Sequence, residues 1–139
     1  MKQDIIILSS RPEHTEPARA ALAKHDILAT IVPDTQEVLT ALHTHTPAFL
    51  WLDLYTDDAR PFLAKVMDRF LYPPPYIILT AAFSDSTDRA DMLDQGADAC
   101  VELPVDLSEI LAILNAVMRR EGRLRCVRTG SRALSIRNY

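Results

Sequence analysis

Two kinds of apolar pattern alternate along the chain. Short apolar runs rich in β-branched residues mark strands buried inside a parallel sheet: Asp4 to Leu8, Ile27 to Val32, Ala48 to Leu54, Tyr76 to Thr80 and Cys100 to Glu102. Between them lie stretches with helical spacing. These predict helices from Ser10 to about Lys24, from Asp34 to near Thr44, over about 58–70, near 86–95 and from Asp106 to Arg120. Phe62, Leu63, Val66, Met67 and Phe70 form one stripe; Leu107, Ile110, Leu111, Leu114, Val117 and Met118 form another. Ser10 with Glu13, Asp34 with Glu37 and Asp106 with Glu109 have the spacing of capping boxes. Pro73-Pro74-Pro75 forbids helix before the fourth strand, and Gly96 suits a left-handed end to the fourth helix.

Five strand-then-helix units predict an α/β fold, a doubly wound parallel sheet with helices on both faces. In the flavodoxin-like strand order 2-1-3-4-5, the chain reverses its winding between strands 1 and 3. Ligand chemistry then belongs at the carboxyl ends of the strands. Ser9-Ser10-Arg11, Asp53, Thr80-Ala81 and Glu102-Leu103-Pro104 stand there.

Composition adds a second division. The 139 residues are 48% hydrophobic and 24% charged, an ordinary globular balance. Residues 1–121 hold 10 Lys+Arg against 19 Asp+Glu, a net of −9, which argues against direct nucleic-acid binding by this part. Residues 122–139 carry five arginines and no acid. The expected organisation is therefore a folded domain over 1–121, followed over 122–139 by a basic linker or arm, or the start of a further domain. Cys100 and Cys126 are too few for a disulfide scaffold. No apolar run approaches the ~20 residues of a spanning helix, and the first residues lack a signal-peptide layout. A cytoplasmic protein without membrane contact is expected.

Trp51-Leu52-Asp53-Leu54, Ile77-Ile78-Leu79-Thr80-Ala81, Gly96-Ala97-Asp98 leading to Leu103-Pro104, and Asp106 through Arg120 agree in order and spacing. Together they resemble the receiver domain of two-component response regulators over residues 4–120. The resemblance implies a regulatory module rather than an enzyme. It makes Asp53 the candidate phosphoacceptor for a partner histidine kinase, Thr80 the switch hydroxyl, and Leu103-Pro104 a candidate cis peptide. Residues of helix 4, strand 5 and helix 5 become the candidate homodimer face: Asp88, Arg89, Asp91, Met92, Asp98, Arg119 and Arg120. Arginines that relatives carry on helix 5 are replaced by Ile113 and Asn115. The alternation from Arg123 to Tyr139 is similar to the first strand of a winged-helix DNA-binding domain, and reads equally well as an arm pairing with another subunit. DNA contact would then fall to a C-terminal domain missing from this sequence.

The departures concentrate at the phosphoacceptor. Where receivers carry two metal-binding acids after strand 1, this chain has Ser9 and Ser10. Where they carry a lysine, it has Leu103; at the aromatic switch position it has Cys100. Mg²⁺ sheds water reluctantly and normally requires carboxylates or phosphates. One aspartate and two hydroxyls predict weak or absent Mg²⁺ binding and impaired phosphorylation of Asp53. The alternatives are a working phosphoreceiver, with Arg11 reaching in as a surrogate cation, and an Asp53 simply paired with Arg11. Asp57-Asp58 read as caps of helix 3, His43 and His45 as surface residues rather than metal ligands, and Cys100 as a buried small apolar residue. With three glycines in the chain and no glycine-rich loop, a catalytic or nucleotide-binding flavodoxin-like domain is disfavoured.

Overall fold

A computed structural model describes residues 3–69 and 71–129. Its elements follow the alternating pattern: β1 (Gln3–Leu8), α1 (Pro12–Lys24), β2 (Ile27–Val32), α2 (Thr35–Thr44), β3 (Phe49–Asp53), α3 (Thr56–Met67), β4 (Tyr76–Ala81), α4 (Ser86–Gln95), β5 (Ala99–Glu102) and α5 (Leu107–Thr129). The five strands are parallel in the order β2-β1-β3-β4-β5. The chain divides into a unit over residues 1–105, which holds the whole sheet, and a unit over 106–139.

Successive strand residues face opposite sides of the sheet, and both sides are apolar. On one side Ile6, Leu8, Leu50, Leu52, Ile77 and Leu79 meet Val38 and Leu42 of α2, Phe62, Leu63 and Val66 of α3, and Met92 of α4. On the other, Ile5, Ile7, Phe49, Trp51 and Ile78 are fully buried, with Ala18 and Leu22 of α1 also in the core. Side chains of this kind contribute about 1.5–3 kcal/mol each when buried. This layering fixes the register Asp53↔Thr80 and leaves both residues at the carboxyl end of the sheet.

The caps at α2 and α5 form as expected. Asp34 accepts from the Glu37 amide at 2.9 Å. Asp106 accepts from the amide and the hydroxyl of Ser108, which hold its carboxyl below the usual range. Gly96 has φ of +132°, a conformation that favours glycine, and a Cβ there would press on the flexible Met67 side chain, 3.0 Å from its sulfur. Three expectations fail. Ser10 does not cap α1: it is exposed, the N-cap is Arg11, and the hydroxyl that accepts the Arg11 amide belongs to Ser9. Asp57 and Asp58 do not cap α3, which starts two residues earlier than expected, after Tyr55, with no side-chain cap. The strand-like alternation expected from Arg123 is helical through Thr129, because α5 continues across the composition break at 121–122. Residues 130–139 of that basic segment lie outside the described residues.

Candidate functional site

Asp53 ends β3, and its side chain is fully buried. A buried ionised carboxylate needs a donor for each lone pair. The β1–α1 turn, α1 and β4 supply four. On Oδ1, the Arg11 guanidinium donates at 3.0 Å and the Thr80 hydroxyl at 3.1 Å. On Oδ2, the Ser9 hydroxyl donates at 2.7 Å, and His14, facing an acceptor-only group, donates from Nδ1 at 3.1 Å. Two donors per oxygen fill the carboxylate's hydrogen-bonding capacity.

Each donor is itself held. Thr80 Oγ1 accepts from the indole N–H of Trp51 at 3.0 Å, so its single proton is free only for Asp53. Ser9 Oγ accepts the Arg11 amide at 3.0 Å, tying the turn to the carboxylate. The Arg11 guanidinium lies 5.1 Å from the ring centroid of Tyr55, which is otherwise exposed. That cation–π contact fixes the far side of the arginine. Arg11 and His14 therefore reach the carboxylate together from the start of α1, where the N-cap residue and a first-turn residue stand three positions apart.

The donor set does not fit Mg²⁺. The ion takes near-octahedral oxygens at about 2.0–2.1 Å and favours carboxylates. Here one carboxylate is present, its oxygens are engaged, and a guanidinium stands against it. Among the described residues, no group of three His, Cys, Asp or Glu side chains could hold a metal.

The remaining sequence-derived candidates are scattered. Leu103 is half-buried after β5, its amide bonded to the Ala81 carbonyl at 3.0 Å, and the Leu103-Pro104 bond is cis, as is Tyr72-Pro73. Cys100 is half-buried rather than buried, and partial burial pushes its thiol up to about 11. His45 pairs with Asp4 at 2.7 Å and His43 lies 3.5 Å from Arg69, away from Asp53's neighbours. Met92 cannot belong to a dimer face: it is fully buried in the core. Asp91 and Asp88 turn toward Arg60 of α3, at 2.7 and 3.6 Å. Arg89 pairs with Glu102 at 3.2 Å, and Asp98 accepts the Ile77 amide at 2.8 Å. Arg119 and Arg120 are exposed on α5. Sequence reasoning reached Arg11 only as an alternative and missed His14, although their spacing on one helical turn was the available signal.

Fold and strand-end site together define the class: the chain has the fold of response-regulator receiver domains, with an aspartate at the end of β3. The receiver domain of Francisella response regulator 1452 superposes with a TM-score of 0.75 at 16% identity, over 86% of this chain and 99% of that one. That of the TMAO respiratory system response regulator TorR gives 0.73 at 19% identity, over 85% and 98%. Among curated proteins, transcriptional regulatory protein CseB of Streptomyces avermitilis is 29% identical over 109 residues, which are 77% of this chain and 45% of CseB. Transcriptional regulatory protein KdpE of Mycobacterium tuberculosis is 28% identical over 116 residues, 84% of this chain and 51% of KdpE. The chain thus spans about half the length of the curated relatives it matches. No protein-family model matches it.

Proposed function

We propose that this chain is a signalling module that works by protein–protein contact, with Asp53 held in a metal-free latch instead of serving as a Mg²⁺-dependent phosphoacceptor. The observation that carries this reading is the saturation of the Asp53 carboxylate, with Arg11 3.0 Å from Oδ1 and three further donors on the two oxygens. For Asp53 to attack a phosphorus, an oxygen must first be stripped of donors in a buried setting. Without a metal or a lysine, charge developing on the transferring group would have to be met by Arg11 and the neighbouring donors, which are already engaged on Asp53. The latch instead ties three parts of the domain together: the β1–α1 turn, the end of β3 and the end of β4. Its partners are signalling proteins, a histidine kinase among them, or a second copy of the chain. The relatives' names place such domains in transcriptional regulators, where DNA contact would fall outside the acidic domain.

Intact mass of the protein after incubation with acetyl phosphate and Mg²⁺, beside Asp53→Asn, tests the reading. The expected result is no phosphoryl adduct on either protein. An adduct on the wild type that Asp53→Asn abolishes would establish the other reading, a working phosphoreceiver, which the Asp53↔Thr80 pairing favours.

A further inference from the structure

A second feature lies at the same end of the sheet. An open cleft of about 330 Å³ sits beside the ends of β1 and β3, on the α2–α3 side. Its volume falls within the range of small-molecule pockets, about 300–1,000 Å³, and it stands where open α/β sheets bind ligands. Leu54, Pro61 and Phe62 supply apolar wall, with Pro33 opposite. Ser10 and Thr35 add hydroxyls.

The charges on its rim are unevenly committed. Asp34 is engaged as the cap of α2. Asp58 and Lys65 also line the cleft, and neither side chain has a hydrogen bond or ion pair among the described residues. With Pro61 and Phe62 they form one α3 stripe, at i, i+3, i+4 and i+7, so an acid and a base bracket an apolar floor. They are too far apart to pair directly, roughly 10 Å along the helix axis.

We infer that this cleft binds a small zwitterion with an apolar body, its ammonium toward Asp58 and its carboxylate toward Lys65, and that the ligand biases the Asp53 latch. A single-sign ligand would leave one rim charge unanswered. An α-amino acid, with its charges adjacent, would not span the stripe. Ser10 lines the cleft and lies between Ser9 and Arg11, which both bond Asp53. A ligand against Ser10 therefore acts on the turn that holds the latch. Binding stands on the cleft alone; the coupling rests on the reading of Asp53 as a latch. The cleft is not legible in the sequence, because its walls come from the end of β1, three separate loops, the start of α2 and the length of α3.

Titrating the full chain with 6-aminohexanoate, with hexanoate and hexylamine as singly charged controls, tests both parts by amide NMR. The amides of Ser10, Thr35, Phe62 and Lys65 should shift saturably with 6-aminohexanoate, which binds roughly tenfold tighter than either control. Lys65→Met and Asp58→Asn, both at exposed positions, should each weaken binding roughly tenfold with the spectrum otherwise kept. The indole proton of Trp51, the chain's single tryptophan, should move with the cleft amides, because it bonds Thr80 within the Asp53 network. No shifts, equal shifts from all three probes, or indifference to both substitutions would overturn the site. Shifted cleft amides beside a stationary indole would overturn the coupling. Neither failure bears on the phosphoryl-adduct result.

Discussion

Two arginine–aspartate pairs in this domain have opposite settings: Arg11 gives Asp53 one N–H in a buried site, and Arg60 gives Asp91 two in an exposed one. Arg11 meets Asp53 at 3.0 Å where the carboxylate is fully buried. Arg60 meets Asp91 at 2.7 Å with both side chains about 40% exposed, and that hydrogen bond holds the Arg60 guanidinium above its ordinary value. The shorter pair is the less consequential one. Water competes for both members of an exposed pair, and salt screens it. Removing one partner of a buried pair strands a charge that water does not reach. Distance alone therefore does not rank these contacts. What ranks them is how each group would fare without its partner.

The largest effect should come from breaking the buried pair. Arg11→Ala should destabilise the fold by about 2–3 kcal/mol, read from the urea midpoint, because Asp53 keeps three donors but loses its permanent cation. A loss no larger than that of an exposed pair would erase the contrast. Asp53→Asn sharpens it. Once the charge is gone, Arg11→Ala should cost little more, and a double-mutant cycle should show coupling of about 1–2 kcal/mol.

Thr15 tests the same rule without charge. Its hydroxyl, on α1 one residue after His14, is buried with no hydrogen-bond partner among the described residues. Thr15→Val should therefore stabilise by about 1 kcal/mol, measured by thermal or urea unfolding.

Cys100 is a graded case, half-buried and with its thiol raised to about 11 chiefly by desolvation. In a Cys126→Ser background, iodoacetamide should label Cys100 slowly near neutral pH and faster as pH approaches 11. The folded state holds this proton more tightly than the unfolded chain. The thiol's stabilising contribution is thus complete below the ordinary value of 9.0 and is lost as pH rises toward 11. The smallest effect should be that of Arg60→Ala, with a midpoint shift near the error of the measurement and smaller still in high salt.

The fold was legible because its signals repeat. Strands apolar on both faces, such as Ile5 to Leu8, have few places to go except a parallel sheet between helices. Asp34 and Gly96 mark helix ends by chemistry that acts locally. Asp53 and its register partner Thr80 were legible for the same reason, since both stand at or beside strand ends that the apolar pattern sets. The rest of the site depends on which way two adjacent residues face. Ser9 and Ser10 are identical in composition terms, yet Ser9 turns inward to Asp53 and Ser10 outward. Arg11 and His14 become neighbours of Asp53 only through the pitch of α1 and the pairing of β1 with β3, a relation across about 40 residues. Met92 shows the converse. It sits among the charges of α4, and only the contact between α4 and α3 shows that it faces the core.

The most direct probe of the central claim is a Mg²⁺ titration followed at the Trp51 indole proton, two residues before Asp53 and bonded to Thr80. With Arg11 and three further donors filling the carboxylate, the signal should stay fixed through a large excess of the ion. A saturable shift that vanishes in Asp53→Asn would mean that a divalent cation displaces the arginine, and would contradict the latch.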